Sequence, residues 1–153
     1  IEPRAKLSII GSGFPRDLEK LKKQIKIRKL DKNIEILGSL SDDEVINVLK
    51  SAKIFLFTDH EAGFGLAAAE AMASGLPVIA YNLPVFREIY TNGLITVPLD
   101  NKAAFASVVV KLLKNENERL KLSQLAKNQA KRFDWSKSAQ RFLNLINEKL
   151  QKS

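Results

Sequence analysis

Hydrophobic residues along this chain fall into short runs separated by longer amphipathic stretches. Five runs have strand length and nearly continuous apolar character, as buried parallel strands do: residues 7–10, 34–37, 54–57, 78–81 and 94–97. Between them apolar positions recur every three to four residues, which predicts helices near residues 17–29, 42–50 and 65–74. This alternation predicts an α/β fold, a mostly parallel sheet flanked by helices.

Local signals mark where some of these helices begin and end. Ser41 and Glu44 have the S-x-x-E spacing of a capping box. Gly75 followed by Pro77 ends the helix before the fourth strand. After the fifth strand the pattern is wholly helical, and the last predicted helix follows residues 133–136. We expect these C-terminal helices to pack on the sheet rather than form a second domain.

Chain length and composition restrict the class of protein. At 153 residues the chain has the size of one domain with a buried core, and we expect residues 1–153 to form a single domain. No apolar run approaches the ~20 residues of a membrane span. The absence of cysteine excludes disulfides and thiolate chemistry, and the lone histidine, His60, excludes a histidine-rich metal site.

An excess of basic residues is the one unusual bulk property. The chain has 25 Lys and Arg against 17 Asp and Glu, a formal net charge of +8. Such an excess favours anionic partners, namely nucleotide phosphates, nucleic acid or an acidic membrane surface. Many of the lysines have the spacing of a solvated helix face instead. No stacking-aromatic motif of an RNA-binding fold accompanies the charge, so we expect no nucleic-acid partner.

The first strand leads into Gly11-Ser12-Gly13, which begins like a dinucleotide-binding fingerprint. Arg16 stands where the third glycine of that fingerprint is needed for close packing of helix on strand. A lone G-x-G is weak evidence, and a plain strand-to-helix turn is the favoured interpretation.

The segment after the third strand carries the richest candidate chemistry. Gly63 and Gly65 allow the backbone to approach a ligand closely. The helix that begins near Gly65 directs free N–H groups and its positive dipole end at an anion. Glu70 lies about one and a half turns into that helix, where its carboxylate can accept hydrogen bonds from a hydroxylated ligand. An ordinary surface carboxylate is the alternative interpretation of Glu70.

Residues 63–80 read G-F-G-L-x-x-x-E-A-M-A-x-G-L-P-V-I-A, which closely resembles the donor-binding segment of retaining, family 4-like glycosyltransferases of the GT-B fold, the glycosyl transferases group 1 domain. Similar elements follow the order of that family along almost the whole chain, at residues 9–13, 36–38, 52–54, 87–89 and 133–136. The resemblance implies the Rossmann-like C-terminal half of an enzyme of polysaccharide biosynthesis. It would transfer a hexose from a nucleotide-diphosphate sugar to a glycan or lipid-linked acceptor with retention.

The resemblance also implies roles for the loop after the third strand. Glu70 would bind the ribose hydroxyls, and the backbone N–H groups of Gly65 and Leu66 would bind the diphosphate. Gly63 and Phe64 would contact the transferred sugar. No metal or other cofactor is implied.

Two further turns belong to the donor site by similarity. The turn at Gly38-Ser39-Leu40 would border the nucleobase, largely through backbone groups. Gly11 and Gly13 lie in the glycine turn that the family shares, and they are assigned to the same site.

The sequence departs from the family at one carboxylate. Family members have a glutamate separated by seven residues from the one that matches Glu70, and that position is Ala62 here. Glu61 is adjacent. Either a shift of the loop by one residue lets Glu61 act as the catalytic carboxylate at the donor sugar, or the role is lost or altered. In the second case the chain is a non-catalytic nucleotide-binding or interaction module of the same fold.

A second departure concerns the start of the chain. Family members have a further strand before the one at residues 7–10, in the middle of the sheet, followed by an Arg and a Lys that neutralise the leaving diphosphate. We therefore expect a fragment that lacks the N-terminal acceptor domain and does not catalyse transfer alone. The resemblance implies a cytoplasmic enzyme, with peripheral contact at the inner face of the membrane as an additional option.

Overall fold

The computed structural model describes residues 4–150, which divide into two units between Val48 and Leu49. The first unit contains strand β1 (Leu7–Ile10), helix α1 (Pro15–Ile27), strand β2 (Ile34–Gly38) and most of helix α2 (Asp42–Ser51). β1 and β2 are parallel, with Leu7 opposite Ile34. A shift in register after Ile9 places Ile10 opposite Gly38, at the carboxyl ends of both strands.

Ser41 and Glu44 form one half of the predicted capping box at the start of α2, the bond from the Ser41 N–H to the Glu44 carboxylate. The backbone N–H of Ser41 donates to Glu44 Oε2 at 2.8 Å, and the Ser41 hydroxyl donates to the same oxygen at 2.7 Å. The hydrogen bonds from Ser41 lower the pKa of Glu44, because they stabilise its charged form. The helix start that the sequence predicted is thus confirmed.

The second unit contains three parallel strands in the order β3, β4, β5 and the helices around them. Its elements in chain order are β3 (Phe55–Phe57), α3 (Leu66–Ala73), β4 (Val78–Tyr81), α4 (Pro84–Ile89), β5 (Leu94–Val97), α5 (Lys102–Lys114), α6 (Glu116–Ala130), a 3₁₀ turn (Lys131–Phe133) and α7 (Trp135–Leu150). Every residue of the central strand β4 is buried, as continuous apolar character predicts.

The core of the second unit surrounds β4. Ile79 and Tyr81 of this strand pack with Val97 of β5 and with Phe105 and Leu112 of α5. α3 packs against α6, and small side chains on α3 permit the close approach. The α/β fold class, the parallel pairing and the helical C-terminal region are confirmed, and all five strands lie within one residue of their predicted bounds. The short helix α4 was not predicted.

The last helix departs from the expectation that its apolar face packs on the sheet. No residue of α7 is buried, and the side chains of Trp135 and Phe142 are 80% and 65% exposed. Phe142, Ile146 and Leu150 follow one another at the spacing of a single helix face. The spacing predicted the helix and its apolar face correctly, but the expected packing of that face is wrong within the described residues.

None of the helices within residues 4–150 combines the length and the apolar character that crossing a bilayer requires.

Candidate functional site

The loop between β3 and α3 ends in a backbone conformation that requires glycine. Gly65 caps α3 with φ +82° and ψ 52°, in the left-handed region. A Cβ at this position would lie 2.9 Å from Cε1 of Phe86. Both the dihedral angles and the neighbouring ring therefore exclude larger residues. Gly63 differs, because a Cβ there would meet nothing within 4 Å.

The amino end of α3 offers free hydrogen-bond donors. Among residues 4–150, no protein group accepts a hydrogen bond from the backbone N–H of Gly65 or Leu66, and no side chain caps the helix. Unpaired N–H groups at a helix start, together with the helix dipole, attract anions. The start of α3 is thus uncapped within the described residues, and its role in binding phosphate stays a prediction.

Glu70 lies on the exposed face of α3, one turn after Leu66. Residues four apart occupy the same helix face, and side chains lean towards the amino end of their helix. The opposite face of α3 is buried and consists of Ala68, Ala71 and Met72. Within the part of the chain that the structure describes, no ion pair or hydrogen bond engages the Glu70 carboxylate. The assignment of Glu70 to a bound ligand stays a prediction.

The loop between β3 and α3 packs against the buried Tyr90 and against Phe86 and Phe133. The Tyr90 hydroxyl shares its one proton between the carbonyl oxygens of Phe64 and Gly65, which lie 3.0 and 3.1 Å away. The Phe64 ring packs on the rings of Tyr90 and Phe133, with centroids 5.9 and 5.1 Å away. Phe86 packs edge to face on Tyr90 at 5.5 Å. Sequence reasoning missed this support, because only the aromatic character of these positions is visible without the tertiary structure.

The beginning of the same loop is held by a second contact. His60 Nε2 lies 2.8 Å from Asp100 Oδ1, beyond the end of β5, and the His60 ring packs on Tyr81 at 5.6 Å. Between the two supported ends, Glu61 and Gly63 are exposed. No local pattern in the sequence points to Asp100, which adopts the uncommon φ of +60°.

No hydrogen bond or ion pair engages the Glu61 side chain within residues 4–150. The half-buried Ala62 follows it, at the position where the resemblance implies a glutamate. The catalytic role assigned to Glu61 stays a prediction.

The remaining predicted residues lie in the first unit. The Gly11 N–H donates to the Gly38 carbonyl at 2.8 Å, and both glycines have positive φ, +123° and +71°. The structure thus brings these two turns together at the carboxyl ends of β1 and β2. Gly13 faces Leu18, whose Cγ would lie 3.6 Å from an added Cβ. The assignment of these glycines, and of Ser39 and Leu40, to the donor site remains a prediction.

A cavity of about 240 Å³ lies elsewhere in the second unit, and its lining includes Lys53, Pro77 and Arg119. Lys53 lies two residues before the first residue of β3, and Pro77 immediately precedes β4. The cavity is therefore at the amino ends of these strands, whereas the loop before α3 follows a carboxyl end. Ligands of open parallel sheets bind at the carboxyl ends. We therefore do not assign the donor site to this cavity.

Comparison with known proteins identifies the family. Residues 1–129 match the family described as "Glycosyl transferases group 1". The chain belongs to this family of GT-B glycosyltransferases, and the resemblance found in residues 63–80 is confirmed.

Individual relatives agree with this assignment. Poly(glycerol-phosphate) alpha-glucosyltransferase of Bacillus subtilis is 31% identical over 134 residues, which are 86% of this chain and 19% of that protein. The structure of sucrose-phosphate synthase from Thermosynechococcus elongatus matches 99% of this chain and 40% of its own, with a TM-score of 0.90 and 19% identity. Anabaena HepE in complex with UDP-glucose matches 95% of this chain and 42% of its own, with a TM-score of 0.85 and 19% identity. This chain thus spans less than half the length of each, and it matches their C-terminal part.

Proposed function

We propose that this chain is the donor-binding domain of a longer, two-domain glycosyltransferase. It would bind a nucleotide-diphosphate sugar, from which the complete enzyme transfers a hexose to a glycan or lipid-linked acceptor with retention. The observation that carries the proposal is the start of α3, where, within residues 4–150, the N–H groups of Gly65 and Leu66 and the Glu70 carboxylate one turn later have no partner. The UDP-glucose bound to the structurally similar HepE supports this choice of ligand class.

The geometry suggests how such a site would promote transfer. As the bond between sugar and phosphate breaks, negative charge develops on the leaving diphosphate. Preorganised N–H donors stabilise that charge most strongly in the transition state, and they need no reorganisation to do so. Glu70 would hold the ribose and thereby fix the position of the diphosphate on the Gly65 and Leu66 amides. We expect the site to need no metal ion.

The loop position of Glu61 leads to a prediction about the sugar. If Glu61 replaces the carboxylate missing at Ala62, Glu61→Gln weakens binding of the nucleotide sugar about tenfold, because a charged hydrogen bond to a sugar hydroxyl is lost. Binding of the corresponding nucleoside diphosphate should not change. Isothermal titration calorimetry with UDP and UDP-glucose, and with the guanosine and adenosine counterparts, measures both. Asp59→Asn, with the same loss of charge two residues earlier, serves as the control.

The same titration separates the proposal from its alternative, a non-catalytic nucleotide-binding or interaction module, which Ala62 favours. Such a module should bind a nucleotide sugar no more tightly than the nucleoside diphosphate, and Glu61→Gln should affect neither. If wild type binds the nucleotide sugar more tightly than the nucleoside diphosphate, and Glu61→Gln removes this difference, the non-catalytic module is excluded.

The exposed apolar face of α7 supports a partner outside this chain. Large exposed apolar patches mark interaction surfaces, and we propose that the remainder of the longer enzyme, which carries the acceptor site, covers this face. Isolated, the chain would bind donor without catalysing transfer. The cytoplasmic location and the peripheral membrane contact that the resemblance implies remain predictions.

Substitution on α7 tests this interface. Phe142→Glu should leave the melting temperature of this chain nearly unchanged, since the side chain is 65% exposed. In the full-length enzyme it should lower the melting temperature by several degrees, because the buried apolar contact is lost. Asn144→Glu, on the polar face, is the control. If Phe142→Glu instead abolishes sedimentation with anionic phospholipid vesicles and leaves full-length stability unchanged, the face binds membrane and the proposed interface is wrong.

A further inference from the structure

A single side chain contacts both peptide units that present the free amides of α3. The Phe64 carbonyl and the Gly65 N–H belong to one peptide unit, and the Gly65 carbonyl and the Leu66 N–H belong to the next. The Tyr90 hydroxyl lies 3.0 and 3.1 Å from these two carbonyl oxygens, and its single proton is shared between them in a bifurcated hydrogen bond. The tyrosine therefore acts on the two peptide units whose N–H groups point into the proposed phosphate site.

Hydrogen bonds in series polarise one another. Donation to a carbonyl oxygen draws electron density from its peptide nitrogen and makes the N–H of that unit a stronger donor. We propose that Tyr90 is a positioning residue for donor binding, which orients and strengthens the Gly65 and Leu66 amides through their own carbonyls. This inference rests on the proposed function, because it assigns a purpose to amides that the proposal places on the diphosphate.

The surroundings of Tyr90 hold its hydroxyl in place. The side chain is 5% exposed and packs among the rings of Phe64, Phe86 and Phe133, with centroids 5.2 to 5.9 Å away. Burial raises the pKa of Tyr90 to about 12. The hydroxyl thus keeps its proton, and remains a donor, throughout the neutral range.

The backbone on both sides of Tyr90 is held by one buried amide. Gln129 of α6, 3% exposed, donates from Nε2 to the Ile89 carbonyl at 3.0 Å. The Thr91 hydroxyl donates to Gln129 Oε1 at 2.9 Å. A buried polar side chain is retained only when its hydrogen bonds are satisfied, and here both contacts flank Tyr90. α6 therefore fixes the direction in which the tyrosine reaches the loop.

Tyr90→Phe removes the hydroxyl and keeps the ring. We expect this variant to bind UDP, GDP or ADP, whichever the wild type prefers, roughly threefold to tenfold more weakly. The affinity for inorganic pyrophosphate should fall by the same factor, whereas the affinity for the matching nucleoside, which has no phosphates, should not change. Tyr81→Phe is the control, because the Tyr81 hydroxyl does not donate to the loop carbonyls. NMR titration of this chain measures the affinities for the nucleoside diphosphate, pyrophosphate and the nucleoside.

The outcomes separate this inference from the proposed function. If wild-type protein binds none of the nucleoside diphosphates, the proposed function fails. If it binds them and Tyr90→Phe binds them equally well, or loses nucleoside and diphosphate affinity alike, the role of Tyr90 is wrong and the function stands. Should the phenylalanine variant not fold, replacement of Tyr90 by 3-fluorotyrosine tests the inference instead. Its more acidic hydroxyl should tighten pyrophosphate binding, and an unchanged or weaker affinity would overturn the inference.

Discussion

Glu70→Gln should weaken the binding of nucleoside diphosphates to this chain by about 10- to 100-fold. Glutamine has the shape of glutamate but no charge. Hydrogen bonds from ribose hydroxyls to a carboxylate are stronger than those to a neutral oxygen, by an amount that corresponds to this factor. Because Glu70 is exposed and has no ion-pair partner within residues 4–150, its replacement costs the fold little. Calorimetry with the preferred nucleoside diphosphate measures the change.

A matched control separates a specific contact from a general effect of charge. Glu116→Gln makes the same change in net charge beside the cavity at the amino ends of β3 and β4. We expect it to leave affinity within a factor of two of wild type, since screening weakens distant exposed charges. Equal losses for both variants would mean that Glu70 acts only through the net charge. No loss at Glu70 would show that it is an ordinary surface carboxylate.

Gly65→Ala should have the largest effect on stability among substitutions in the loop. Alanine at φ +82° is strained, and its Cβ would lie 2.9 Å from the Phe86 ring. We expect the free energy of unfolding to fall by about 1–3 kcal/mol, and nucleoside diphosphate binding to be lost as the backbone moves. Thermal and urea denaturation measure the first effect, and calorimetry at a temperature where the variant is folded measures the second.

The neighbouring glycine provides the comparison. Gly63→Ala adds the same methyl group two residues earlier, where it meets nothing within 4 Å. Its stability should stay within about 0.5 kcal/mol of wild type. If both alanine variants are equally stable, the left-handed conformation at Gly65 is not a requirement of this fold.

Local information in the sequence was sufficient for most elements of the fold. The five strands are nearly continuous apolar runs, interrupted only by Ser8, Glu35 and Thr96, and the start of α2 is determined by Ser41 and Glu44 within one turn. The helix after Gly65, with Glu70 inside it, also follows from local spacing, whereas the left-handed conformation of Gly65 is visible only in the structure. α4 is too short for its periodicity to be recognised.

Contacts between distant segments could not be predicted in this way. Tyr90 reaches the Phe64 carbonyl across 26 positions of the chain, and His60 reaches Asp100 across 40. Neither pair has a spacing signature, because both depend on how β4 and β5 place the following loops beside the loop after β3. For α7 the sequence predicted an apolar face, but the pattern is the same whether the covering surface is the sheet or a partner.

The most direct test of the proposed site is to observe the amides themselves. The ¹⁵N-labelled chain would be titrated with UDP, GDP and ADP, and each backbone amide followed by NMR. We predict that the Gly65 and Leu66 resonances shift most, and that both saturate at the same nucleotide concentration. Glu70→Gln should raise the nucleotide concentration at which they are half-shifted. Saturable binding that leaves these two resonances in place, and instead moves those around Lys53 and Arg119 at the opposite end of the strands, would contradict it.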